Sequence, residues 1–381
     1  MKKLLAILLS LMMLFALAAC VGPEQTESEA ASAAAGNNVP TVGIAMPTNS
    51  LERWNRDGAY LKEQFESIGY NTVLTYSNDN IEQQNNDIQT MIADGVDLLI
   101  VVAINGKALS RTLSEAKDAG IPVIAYDRLI MNSDAISCYV SFDNYNVGTL
   151  QGEFVRDALK LDTAEGPFNI EFTAGDPADN NAIYFFNGAF DVLKPYIDEG
   201  KLIVPSGQTT FEQAATPLWS IEGALNRFQN ILASYYSDGT ILDAAVCSND
   251  STAIGVTRAI ATDYAGDNRP IITGQDGNIA NLQNIVDGIQ TMTIYKNVSD
   301  EAILTLEVAE AILNGKSIDG SLIDDLSPDA TFDPETYDNG VMAVPSYLLK
   351  PSVITADNLD DLVATGLYQW DDDHIYLEAA G

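Results

Sequence analysis

Residues 96–103 read VDLLIVVA, and residues 121–126 read IPVIAY. Between them, residues 109–119 read LSRTLSEAKDA and are followed by Gly120. The two outer segments are short runs of β-branched and aliphatic residues, apolar on both faces of a strand. The middle segment has helical periodicity and a glycine where a helix would stop. Strand, helix, strand in this order predicts parallel pairing in a sheet covered on both sides, because only such strands lack a polar face.

The same rhythm extends in both directions. Upstream, TVGIAM at 41–46 reads as a buried strand, and 53–68 as a helix with Trp54, Leu61, Phe65 and Ile68 on one face. A strand at 71–76 and a helix at 78–93 follow, the latter capped by Asp79 or Asn80. Downstream, a second series begins. It comprises a strand at 168–174, a helix at 181–193, a strand at 202–206 and a helix at 216–235. Then come AAVCS at 244–248, a helix at 251–264, and strands at 270–273 and 290–295 flanking a helix at 279–287. The chain is therefore α/β, with two doubly wound parallel-sheet domains. The roughly 340 residues that remain after an N-terminal leader and leash suit two domains rather than one.

The leader is residues 1–20. Lys2 and Lys3 precede an apolar run broken only by Ser10, and Leu17-Ala18-Ala19-Cys20 closes it. That is an export signal, too short for a comfortable membrane span. Residues 21–38, VGPEQTESEAASAAAGNN, hold no aromatic residue and no apolar period, so they are expected to form a flexible linker. The chain carries 19 Lys plus Arg against 54 Asp plus Glu, a net charge of −35. Losing Lys2 and Lys3 would make the remainder more acidic still. Such a balance excludes nucleic acid and anionic headgroups as partners, since phosphate binding needs a basic face. Beyond Cys20 only Cys138 and Cys247 remain, both in apolar runs, and they are expected as buried free thiols rather than a disulfide framework.

In open parallel sheets ligands bind beyond the carboxyl ends of the strands. The loops there are PTNSLERW at 47–54, Ile104-Asn105-Gly106, Asp127-Arg128, GDPADNN at 175–181, Asn249-Asp250 and Gln275-Asp276-Gly277. Carboxylate, guanidinium and amide groups recur at strand ends in both units. A vicinal diol pairs with such groups: Asp accepts from adjacent hydroxyls, Arg donates through its fork, and Asn does both. Trp54 and Trp219 can cover the apolar face of a pyranose ring. The single histidine, His374, argues against a Ser-His-Asp hydrolase and a His-based zinc site. Asp371 to Asp373 reads as a solvated turn. No cofactor and no metal are expected. A glycosidase with paired carboxylates is the enzymatic alternative.

An ordered set of motifs resembles the periplasmic binding proteins of type I, in particular sugar receptors of the ribose/xylose group and the multiple-monosaccharide-binding proteins of ABC transporters. Its carriers are MPTNSLERWNRDG at 46–58, AYDRLI at 125–130, SFDNYNVGTLQG at 141–152 and GDPADNNA at 175–182. CSNDSTAIG at 247–255, ITGQDG at 272–277 and VPSYLLKP at 344–351 complete it. The ending at Cys20 resembles a lipobox, which implies lipidation of that cysteine and a membrane contact through the anchor alone.

The resemblance implies a first lobe of 39–145 plus 298–347 and a second of 146–297 plus 348–381, joined by a three-segment hinge near Asn144, just after Lys296, and near Tyr347 to Pro351. It implies that Arg53, Trp54, Asn105, Asp127 and Arg128 supply one half of a sugar site. Asn180 (rather than its neighbour Asn181), Trp219, Asn249 and Asp276 supply the other. Lys296 stands where xylose-type and multi-sugar members place lysine and ribose-type members glutamine. The implied function is capture of an aldopyranose such as xylose, glucose or galactose by a monomer, and its delivery to an ABC transporter permease. A receptor of a sugar or of a furanose-like signalling molecule, serving a sensor kinase or chemoreceptor, would share these features. A lac-repressor-type regulator would share the fold, but its helix-turn-helix place is here taken by the leader and linker.

Overall fold

The computed structural model describes residues 39–374 and 376–380. The leader, the linker and Cys20 lie outside the described residues. The chain opens with β1 (Thr41–Met46), α1 (Glu52–Ser67), β2 (Asn71–Tyr76), α2 (Ile81–Ala93), β3 (Leu98–Val101), α3 (Ser110–Asp118), β4 (Val123–Tyr126) and β5 (Ile136–Phe142). Asn80 caps α2, its side chain accepting from the Gln83 amide at 3.0 Å. Next come α4 (Asn144–Ala158), β6 (Phe168–Thr173), α5 (Asn181–Asp198), β7 (Leu202–Ile203) and α6 (Ile221–Tyr235). They are followed by β8 (Ala244–Cys247), α7 (Asp250–Asp263), β9 (Ile271–Ile272), α8 (Ile279–Val286) and β10 (Met292–Tyr295). The chain ends with α9 (Val298–Leu313), β11 (Ala330–Asp333), β12 (Ser346–Leu349), β13 (Ser352–Thr355), β14 (Tyr368–Trp370) and β15 (Leu377–Ala379).

Two sheets organise these elements. The first runs β11-β12-β5-β4-β3-β1-β2, parallel throughout except for the β11 edge, which is antiparallel to β12. The second runs β7-β6-β8-β9 in parallel. A parallel bridge from Gln275 to Ile294 links it to β10, which pairs antiparallel with β13. The folds on the two sheets are thus the doubly wound pair expected, each with an antiparallel margin. The chain passes between sheets at Asp143–Asn144, at Lys296–Asn297 and at Lys350–Pro351, where β5, β10 and β12 end.

Each sheet is packed on both faces. In the first, Val42, Ile44, Leu98 and Ile100 meet Leu61 and Phe65 of α1 and Val308 of α9. Ala45, Leu99 and Val101 meet Ile88 of α2 and Leu113 of α3 on the opposite face. In the second, Ile170 and Phe172 pack on Phe186 and Leu193 of α5, and Ala245 and Cys247 on Phe228 and Leu232 of α6. Helices α4 and α5 touch backbone to backbone: a Cβ on Gly148 would lie 2.0 Å from the Phe185 carbonyl oxygen. Cys138 and Cys247 are buried and free. Among the described residues no helix is long and apolar enough to cross a membrane.

The segment expected as one helix over 216–235 is instead two elements. Pro217–Trp219 forms a 3₁₀ turn with φ of 57° at Leu218 and 53° at Trp219, and α6 starts only at Ile221. Ser220 is the reason: it adopts extended backbone and its hydroxyl caps the Gly223 amide at 3.1 Å, starting a fresh helix. Pro217 suits the first position of the preceding turn and cannot continue a hydrogen-bonded helix from upstream.

Candidate functional site

The loops after the strand ends face one another across the cleft between the two sheets and line one cavity. The cavity is narrow: about 30 Å³ of it has room for the centre of a water-sized sphere. The lining includes Arg53, Trp54, Asp127, Arg128, Trp219, Asn249, Asp276 and Lys296, eight of the ten sequence-expected residues. Asn105 and Asn180 are not part of it. Asn105 folds onto its own loop, accepting from the Lys107 amide at 2.9 Å. Asn180 opens α5 and is half-buried, whereas the next residue, Asn181, is buried and donates to the Asp127 carbonyl at 2.5 Å.

The cavity's centre is an ionic network contributed by both sheets. Arg53, in the first turn of α1, donates to Asp57 at 2.5 Å, to Asp127 at 3.0 Å and to Glu301 at 2.7 Å on its own side. Across the cleft it reaches Asp276 at 3.2 Å. Lys296, at the end of β10, sits 2.8 Å from Asp127 and 3.8 Å from Asp276. Burial alone would raise the Asp127 carboxyl, but Lys296 and Arg53 outweigh it and hold it at about 2. For Glu301 the balance is reversed: burial, then the Asp127 charge, pushes it well above the usual carboxylate range despite Arg53. Burial likewise raises Asp57 and Asp179.

Asp127 and Asp276 share an unusual backbone. Each follows a strand with positive φ, 54° and 104°, a region costly for residues with a Cβ. At Asp127 the carbonyl is held by Tyr139 Oη at 2.5 Å, Ser141 Oγ at 3.0 Å and Asn181 Nδ2. At Asp276 the amide donates to the Ile294 carbonyl at 2.8 Å. The flanking residues are fixed by buried Asp250, whose carboxylate accepts from the Asn278 amide at 2.9 Å and whose amide donates to the Gln275 carbonyl at 2.9 Å.

Aromatic rings form the walls. The Arg128 guanidinium lies 4.9 Å from the Trp54 ring centroid and ion-pairs with Asp179 across the cleft at 3.0 Å. Trp219 donates its indole N–H to Asp179 at 3.3 Å and stands 6.2 Å from Phe185. The Trp219 ring lies directly over Gly175, where any Cβ would fall 1.9 Å from Cη2. Only glycine admits it. Two lining amides, Gln275 and Asn278, carry buried side-chain oxygens without a hydrogen-bond partner. Such acceptors are costly unless a ligand donor meets them.

Sequence reasoning passed over Asp57, Asp179, Phe185, Ser251, Gln275, Asn278 and Glu301. Asp179, Gln275 and Asn278 stand in or beside the strand-end loops already singled out. Asp57 and Glu301 sit inside helices, where a charged residue on an otherwise packed face was the available signal. Among the described residues no group of His, Cys, Asp and Glu is placed to hold a metal ion.

A cleft of fixed donors, acceptors and aromatic faces between two sheets is the kind of site in which a receptor holds a small polar ligand. Residues 42–317 match the family described as the periplasmic binding protein domain, and the chain belongs to that family. It is 42% identical over 331 residues to the multiple sugar-binding periplasmic receptor ChvE of Rhizobium radiobacter, covering 86% of this chain and 90% of that one. It is 36% identical to the D-xylose-binding periplasmic protein of Escherichia coli, covering 84% and 88%. Among solved structures, an ABC transporter solute-binding protein from Clostridium phytofermentans with bound β-D-glucose superposes with a TM-score of 0.82. Identity there is 47%, over 88% of this chain and 99% of that one. The protein is a binding protein of the type I periplasmic fold and not an enzyme.

Proposed function

We propose that this protein captures an aldopyranose monosaccharide of the xylose, glucose or galactose type and delivers it to an ABC transporter permease. The observation that carries the reading is the cavity's composition. Arg53, Asp127, Asp276 and Lys296 converge from both sheets, aromatic rings of Trp54, Trp219 and Phe185 flank them, and two buried amide oxygens await donors. Hydroxyls supply the missing donors, and the ring C–H faces suit the aromatic walls. The sugar-binding names of the relatives and the glucose in the Clostridium phytofermentans structure support the same class.

In this reading the lobes are 39–145 plus 298–347 and 146–297 plus 348–381, and the three passages between sheets act as the hinge. Asp127 and Asp276 accept from hydroxyls, Arg53, Arg128 and Lys296 donate, and Asn249 supplies an amide. Trp54 and Trp219 enclose the ring. A lipid on Cys20 holds the monomer at the outer face of the cytoplasmic membrane beside the permease. The test is a thermal-shift screen of residues 37–381 against pentoses, hexoses and disaccharides. A ligand that binds only the folded state raises Tm with the logarithm of its saturation. A shift with xylose, glucose or galactose and a smaller one with ribose is expected. No shift with any monosaccharide overturns the substrate class.

A further inference from the structure

Arg56 is one helical turn beyond Arg53 and is not part of the cavity lining. Its guanidinium also crosses to the second lobe. There Nη2 donates to the Asp276 carbonyl at 2.9 Å, and Nη1 to Tyr368 Oη at 2.5 Å and to the Gly277 carbonyl at 3.4 Å. The Tyr368 hydroxyl itself donates to the Gly277 carbonyl at 2.9 Å. Glu52, 3.6 Å from Arg56, accepts from the Ile279 amide at 3.4 Å. Tyr368 comes from β14, near the chain's C-terminal end, and packs edge-on against Tyr295 with centroids 5.9 Å apart. Four polar contacts thus join one side of the cleft to the other. All are made to backbone groups or to a tyrosine, and none uses a side chain that faces the ligand.

We propose that Arg56, Glu52 and Tyr368 form a latch between the lobes that sets how readily the cleft closes, and hence how tightly every ligand binds, without choosing among ligands. These contacts exist only with the lobes apposed. A receptor whose binding-competent form is partly populated binds with an affinity reduced by that fraction. Interactions that favour closure from outside the cavity therefore scale all dissociation constants together, whereas a lining residue changes their ratio. The latch also explains why the Asp276 backbone, strained at φ 104°, is gripped from the opposite lobe. The inference rests on the reading of the cleft as a closing binding site, but not on which sugar enters it.

Arg56→Ala and Tyr368→Phe separate the effects, the second removing one hydroxyl while keeping the ring in its apolar seat. Titration calorimetry with D-xylose and D-glucose is expected to give, for both variants, Kd values raised roughly three- to tenfold with the xylose-to-glucose ratio unchanged. Unchanged Kd values, or a changed ratio, would overturn the latch. A ligand-free measurement keeps it distinct from the sugar assignment. Spin labels on exposed positions of the two lobes are expected to show a short-distance population in the parent protein that shrinks in Arg56→Ala. Identical distributions overturn the latch whatever the ligand. Distributions that differ, in a protein that binds no sugar of the panel, support the latch and overturn the sugar reading.

Discussion

At the residue scale, the two left-handed aspartates show how much geometry a single side chain can require. Asp127 and Asp276 each stand at a strand end with a positive φ, and each backbone is held there by several hydrogen bonds. The arrangement aims one carboxylate from each lobe at the same two cations. Asp276→Ala removes the second lobe's share of that network, and Arg128→Ala leaves Asp179 buried without its cation. Each is expected to cost about 2–5 kcal/mol of binding, at least thirtyfold in Kd, the first by removing an acceptor aimed into the cavity and the second by leaving a buried carboxylate without its cation. Melting temperatures without ligand should change little. Retained affinity in both variants would show that the cavity is not the binding site.

Asp250 lies one layer further out and makes a pH-dependent prediction. Burial, then the charge of Asp276, raises its carboxyl from 3.8 to about 8, against the hydrogen bonds from Asn278, Gln290 and Thr293. A group raised in the folded state stabilises the fold fully below its unfolded value. That contribution is lost as pH rises toward the folded value, at up to about 1.4 kcal/mol per pH unit. Relative to Asp250→Asn, which stays neutral, the parent protein should therefore lose thermal stability steadily between pH 4 and about 8. Equal slopes for the two proteins would mean that Asp250 is ionised across the range. These residues were unequally legible. Asp127 and Asp276 announced themselves by their place after apolar strands. Asp57 and Glu301 did not, because a carboxylate within a helix points to Arg53 only once distant elements are packed together.

At the element scale, the turn carrying Trp219 shows where periodicity misleads. Residues 216–235 satisfy a helical pattern, yet Ser220 competes as an N-cap and the chain before it takes left-handed backbone at Leu218 and Trp219. A continuous helix would have fixed the indole on a helical face. The turn instead lays it over Gly175 and beside Asp179. The strand–helix alternation was readable because continuous apolar runs and helical stripes differ in period. A turn this short has no period to read. Gly175→Ala tests the contact: the new Cβ would overlap the Trp219 ring and push it into the cavity. Affinity is expected to fall about tenfold or more, with at most 1–3 kcal/mol lost in stability, the usual cost of overpacking. Unaltered Kd would show that the ring does not help form the ligand's wall.

At the scale of the whole molecule, closure gathers more carboxylates than cations. Arg53, Arg128 and Lys296 face Asp57, Asp127, Asp179, Asp276 and Glu301, all buried. Charges at this depth cannot all be satisfied by so few partners, and part of the excess is relieved by proton binding. Asp179 shows the link to closure most directly. It is raised first by burial, and Asp127 of the opposite lobe adds to the rise although Arg128 opposes it. Asp127 and Arg128 reach it only with the lobes apposed, Asp176 adds to the rise from its own lobe, and the net in the apposed state is upward. A carboxyl raised on closure favours the closed form below its ordinary value of 3.8, and that advantage is lost as pH climbs through the raised closed-state value. Ligand binding should therefore take up protons, and Kd should increase with pH over that window. Calorimetric titrations in buffers of different ionisation enthalpy measure the uptake directly. Asp179→Asn, which cannot titrate, should reduce it. A binding enthalpy independent of the buffer would mean that the five carboxylates keep the same protons in the open and closed forms, and that the ionic centre is assembled before the ligand arrives.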